Sequence, residues 1–147
     1  MAYLIGFDGS EESYRTLEYA ADLATDTGAS LVAIHVVGPA VFDTDHDSTS
    51  FGRLPERIAR DRLKAAKQRG EQMLEDAADV ARDRGTHLDT QLVYGDPVEQ
   101  LLTFADDHDI DAIFVGHRSR EDRPERFLGS VAKGIAERAN VPTTVVR

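Results

Sequence analysis

Two rhythms of apolar and polar positions take turns along this chain. Residues 3–7 are a short apolar run, which predicts a strand. Gly9 and Ser10 end it, and Ser10 is a residue type that caps helices. Tyr14, Leu17, Ala20, Ala21 and Ala24 then recur at helical spacing until Gly28, which stops the helix. Residues 31–37 are continuously apolar apart from His35 and predict a second, buried strand. A polar stretch over residues 38–50 breaks the pattern. A long helix is predicted over residues 53–84, with Ile58, Ala66, Gly70, Met73, Ala77 and Val80 along one face. Gly70 within that stripe either permits close packing or marks a kink.

In residues 87–94, Leu88, Thr90, Leu92 and Tyr94 alternate with polar neighbours, the period of a half-exposed edge strand. Gly95, Asp96 and Pro97 turn the chain into a helix carrying Val98, Leu101, Leu102 and Ala105. Residues 111–115 predict a buried fourth strand, a helix starts at Ser130, and Asn140, Val141 and Pro142 precede a last strand over residues 143–146. Strand and helix alternate throughout, so the fold class is α/β: one domain over residues 1–147, a five-stranded parallel sheet with helices on both faces. Strands one, two and four are the most apolar and belong in the centre, and three and five at the edges. The expected order is 3-2-1-4-5. Its switch point lies between strands one and four, where such sheets bind ligands. The strand ends there are Phe7-Asp8-Gly9 and Val115-Gly116.

Composition narrows the function. A chain of 147 residues with 41% hydrophobic content supports one core. No apolar run is long enough for a membrane span, and no secretory leader is visible, so a cytoplasmic protein is expected. The absence of cysteine excludes disulfides and thiolate chemistry. The net charge of -10 argues against a nucleic-acid partner, which needs a basic face. Lys64, Lys67 and Lys133 are the only lysines. An acidic, lysine-poor surface resembles that of proteins from salt-loving organisms, although an ordinary acidic cytosolic protein has the same sign of charge.

The segment after the fourth strand carries the candidate chemistry. Gly116 ends the strand, and Gly129 and Ser130 open the next helix. A loop between a strand and a helix N-terminus offers backbone N–H groups and a positive dipole end to an anion. Nucleotide-binding members of the universal stress protein (UspA-like) family carry Gly, two residues, Gly, nine residues and Gly-Ser/Thr at this place. Gly116, Gly129 and Ser130 fall in that register, and Ser119 replaces the second glycine. Asp8-Gly9-Ser10-Glu11, His35-Val36, Val93-Tyr94-Gly95-Asp96-Pro97 and Val141-Pro142 resemble further family segments, so the resemblance spans the chain.

That resemblance implies a Rossmann-like fold that binds ATP or a related adenine nucleotide, with Mg2+, and a regulatory role. Carried over by position, Asp8 and Val36 meet the nucleoside, with Phe7 and Val115 beside them at the strand ends. Gly116, Ser119, Gly129, Ser130 and Val131 meet ribose and phosphates. It also implies a homodimer through the last strand, residues 141–147, whose apolar edge would otherwise be exposed. A serine at 119 is small and its hydroxyl can bond a phosphate. If the lost glycine needed positive φ, the alternative is a dimeric interaction module of the same family without a nucleotide.

Each candidate also has a plainer reading. Ser130 is a plausible N-cap whatever binds nearby. Lys133, in the first turn where a cation opposes the helix dipole, either faces a bound anion or is solvated. Asp8 suits ligand contact and helix capping equally. Arg118, Arg120, Arg123 and Arg126 can steer phosphates or pair with Glu121, Asp122 and Glu125. His35 and His117 have no visible acid–base partner. Asp43, Asp45 and Asp47 imitate a calcium loop, but Ser48 and Leu54 stand where an EF-hand needs Gly and Glu. A receiver-type signalling domain would need paired acids ending strand one, and Asp8 stands alone. No Gly-Lys-Ser/Thr and no nucleophile–base pair is evident, so any hydrolysis of ATP is expected to be slow.

Overall fold

The computed structural model describes residues 1–38, 55–117 and 128–147. Five strands alternate with four helices: β1 (Ala2–Gly6), α1 (Glu11–Thr27), β2 (Ser30–Val37), α2 (Glu56–Asp83), β3 (Leu88–Tyr94), α3 (Pro97–Asp107), β4 (Ala112–Gly116), α4 (Ser130–Arg138) and β5 (Thr143–Val146). All strand pairs are parallel, in the order β3-β2-β1-β4-β5. This is the predicted α/β architecture and strand order.

The central strands read as apolar runs because both of their faces are covered. On β1, Tyr3 and Ile5 pack with Leu17, Ala20, Ala21 and Ala24 of α1 and with Leu74, Ala77 and Ala81 of α2. Leu4, between them, points the other way, to Leu101 and Ala105 of α3 and Ala132 and Ile135 of α4. Phe114 of β4 stacks near Tyr3 and Tyr19, at ring separations of 5.2 and 6.2 Å. α1 begins at an N-cap on Ser10, whose side chain accepts from the Ser13 N–H, and ends at Gly28 in the left-handed region.

The packing of α2 differs from the predicted stripe. Ile58 is 42% exposed, because the first turns of α2 precede the part that lies on the sheet. The buried line is Ala66, Gly70, Leu74, Ala77 and Ala81, with Met73 and Val80 half-buried beside it. The helix is also shorter than predicted, beginning at Glu56 with Pro55 at its N-cap. On β3, Leu88 is buried and Leu92 half-buried, but Thr90 and Tyr94 are exposed, in keeping with an edge strand that pairs only with β2. β5 is the other edge, and all four of its residues are half-buried. β1 ends one residue earlier than predicted, although the Phe7 N–H still donates to Ile34 O at 2.9 Å. Among the described residues no helix is long and apolar enough to cross a membrane.

Candidate functional site

β1 and β4 are neighbours, yet the chain leaves them in opposite directions, toward β2 and toward β5. That reversal opens a crevice beyond the strand ends. A cleft of about 220 Å³ occupies it. Gly6, Phe7 and Asp8 line it from the end of β1, and Val115 and Gly116 from β4. Ile34, His35 and Val36 contribute from β2, and Gly129, Ser130, Val131 and Ala132 from the start of α4. Ser10, Glu12 and Ser13 close one side from α1, and Pro97 and Leu101 close another from α3.

The corner after β1 depends on local backbone chemistry. Gly9 has φ 80°, a left-handed conformation that glycine adopts without steric cost, and a Cβ there would run into the Met73 thioether. The Asp8 carboxylate accepts from the Ser10 N–H at 2.9 Å. Asp8 thus braces the turn while lining the cleft, and the helix cap expected of it falls to Ser10. Gly116 has a packing reason of its own: a Cβ would lie 2.9 Å from Glu12 Cβ and 3.0 Å from the Glu12 carbonyl carbon. Its small size lets the first turn of α1 approach the end of β4.

The start of α4 corrects one expectation. Gly129, not Ser130, is the N-cap: it takes the extended conformation at φ −60°, ψ 158°, and Ser130 is already helical. Among the described residues no side chain caps this end. The Lys133 N–H donates to Gly129 O at 2.9 Å. By helix geometry, the N–H groups of Ser130, Val131 and Ala132 precede that first bond and have no acceptor within the helix. These residues line the cleft, so the positive end of α4 opens onto it.

Most of the expected site residues therefore converge. Phe7, Asp8, Val36, Val115, Gly116, Gly129, Ser130 and Val131 all line one cleft. Lys133 is exposed and is not among its lining residues. Ser119, the neighbouring arginines and the acidic loop at Asp43 lie outside the described residues. Pro97 and Leu101 were missed because a helix's apolar stripe does not say which of its residues reach a neighbouring strand end. Glu12 and Ser13 were missed for a similar reason. The Glu12 carboxylate lies 3.8 Å from Arg15, and Glu12 lines the same cleft as Asp8.

The two histidines differ. His35 Nδ1 lies 2.9 Å from the Phe7 carbonyl oxygen, a partner the sequence did not reveal. His117 is 6% exposed, and its Nε2 has no hydrogen-bond partner among the described residues.

A sequence model of the Universal stress protein family matches residues 3–147. The chain belongs to that family. It is similar to the universal stress protein YxiE of Bacillus subtilis, with 30% identity over 144 residues, 98% of this chain and 97% of that protein. Two solved structures share the fold. One is a universal stress protein in complex with cAMP, with a TM-score of 0.69 and 24% identity, covering 100% of this chain and 96% of the other. The second is the universal stress protein of Archaeoglobus fulgidus in complex with dAMP, with a TM-score of 0.69 and 23% identity, covering 100% and 98%. This universal stress protein thus has Gly116, Gly129 and Ser130 in the lining of a cleft formed by six elements of the fold and the corner after β1.

Proposed function

We propose that this universal stress protein is a cytoplasmic regulatory protein that binds ATP or a related adenine nucleotide between the ends of β1 and β4. The observation that carries the reading is the uncapped N-terminus of α4, whose first turn lines the cleft opposite Asp8. An anion there would satisfy amides that no side chain of the described residues caps. The apolar wall of Ile34, Val36, Leu101 and Val115 suits a flat base, and Asp8 suits a ribose hydroxyl. The cAMP and dAMP held by two similar folds belong to the same ligand class. Among the described residues no group of three or more His, Asp or Glu could hold a metal ion. Mg2+ would therefore enter on the phosphates, as it commonly does. Nothing in the described lining forms a nucleophile–base pair, so turnover of bound ATP would be slow.

The same reading includes a homodimer through residues 141–147. β5 is a sheet edge with only β4 as a neighbour, and a second copy would pair it. Light scattering in molar salt tests this, and a monomer mass would refute it. Isothermal titration with ATP in high salt tests the nucleotide site. Saturable heat with a raised melting temperature is expected. A flat titration without a thermal shift would favour the second reading, a dimeric interaction module without a nucleotide. Ser119 in place of a loop glycine is the observation in favour of that reading.

A further inference from the structure

His35 joins two elements on which the cleft corner depends. It lines the cleft near the end of β2, half-buried, with Nδ1 2.9 Å from the Phe7 carbonyl oxygen. A carbonyl only accepts, so Nδ1 carries the hydrogen and donates it. The opposite edge of the ring is set against α2. A Cβ at Gly70 would lie 2.7 Å from His35 Cδ2 and 3.3 Å from Nε2. The imidazole, together with Leu92 Cδ1 at 2.6 Å from the same point, fills the space that any side chain at position 70 would need.

Gly70 itself calls for an explanation. It is buried within the 28-residue helix α2, where glycine costs about 1 kcal/mol relative to alanine. Its φ is not among the positive values found at Gly9, Gly28, Gly85 and Gly95, so its backbone does not demand glycine. The neighbouring ring, together with Leu92, does. Phe7, meanwhile, lies just past the last residue of β1. Its N–H is held by Ile34 O and its carbonyl by His35, so β2 grips both sides of this residue before the chain turns through Asp8 and Gly9.

We propose that His35 is a positioning residue of the cleft. Its Nδ1–H, wedged in place against Gly70, holds the Phe7 carbonyl and so fixes the corner that presents Asp8 to a ligand. The effect on affinity rests on the nucleotide reading above, whereas the effect on the order of the corner does not.

Three variants test it: His35→Leu, which removes the donor; His35→Asn, whose amide nitrogen can replace Nδ1; and Gly70→Ala, which displaces the ring while favouring the helix. Ring 15N spectra of the native protein should show the Nδ1–H tautomer. Amide exchange at residues 8–10 should quicken in His35→Leu and Gly70→Ala and return to the native rate in His35→Asn. Adenosine and ATP should both weaken by the same factor, about tenfold for one lost hydrogen bond, in the first two variants and recover in His35→Asn. An equal loss for the two ligands places the effect at the nucleoside end. A purely packing role would lower stability without rescue by asparagine. An Nε2–H tautomer would overturn the proposal, as would unchanged exchange at residues 8–10 in folded His35→Leu. If the native protein binds neither ligand, the nucleotide reading falls, and the tautomer and exchange measurements still decide the role of His35. If His35→Leu does not fold, Gly70→Ala provides the same comparison.

Discussion

Two helices present their N-termini to the same cleft, and they are finished differently. α1 is complete in itself. The Ser10 hydroxyl accepts from Ser13 N–H, and Glu11 and Glu12 place negative charge in the first turn. α4 has Gly129 as its cap residue, no capping side chain among the described residues and no acid in its first turn. A helix end already supplied with acceptors and charge has little to offer a phosphate, whereas an unsupplied one favours an anion by both its amides and its dipole. On the proposed nucleotide reading, the contrast favours α4 over α1 for the anion, and α1 is a wall held close to β4 by the small size of Gly116.

The largest expected effect comes from making α4 resemble α1. Gly129→Asp would cap α4 with its own carboxylate and place a negative charge where a phosphate would bind. ATP affinity should fall by about a hundredfold, the equivalent of roughly 2–3 kcal/mol of lost charge-assisted bonding. The melting temperature should hold or rise. Undiminished ATP affinity in calorimetry would show that the anion does not sit at α4. Next in size, Gly116→Ala pushes a methyl group against the backbone of Glu12, and overpacking of this kind costs about 1–3 kcal/mol. A lower urea midpoint with an unchanged slope would register it. Ser10→Ala removes the cap of α1 and should cost about 1 kcal/mol of stability. ATP affinity should be nearly unaffected, and a large loss would mean that the α1 end also takes part in binding.

Two smaller effects concern charge. With a net charge of -10, self-repulsion should ease as salt screens it, so the urea midpoint should rise from low salt to molar KCl. A midpoint independent of salt would count against the expected adaptation to high salt. Tyr14, packed edge-on against Phe7 at 5.0 Å, has its pKa raised above 10.0, by burial first and by the Asp76 carboxylate second. Folding therefore favours the neutral phenol. Its contribution is complete below pH 10.0 and is lost as the pH rises through the folded value. Tyr14→Phe should flatten the alkaline loss of stability, and an unchanged alkaline limb would assign that loss to other groups.

The strand order was legible because covered strands carry continuous apolar runs and edge strands do not. Eight of the ten expected site residues line the cleft, because a switch point draws ligand-facing positions to two particular strand ends. Ser119 lies outside the described residues, and Lys133 does not line the cleft. The misses share a cause. Ile58 has the period of a buried face but precedes the part of α2 that meets the sheet. Ser130 has the chemistry of a cap, but Gly129 takes the cap conformation. Periodicity and residue type report what a position could do, whereas burial and cap position depend on where the element lies.

From the sequence alone came the α/β alternation, the central and edge strands and the glycine-bearing loop, since each is written in local pattern and spacing. Only the tertiary structure decided that Pro97 and Leu101 close the cleft, that Gly116 accommodates α1, and that His35 is held between Phe7 and Gly70. Those contacts join residues distant in the chain, and a pattern read along one dimension does not record which side chains meet when helices cross strands.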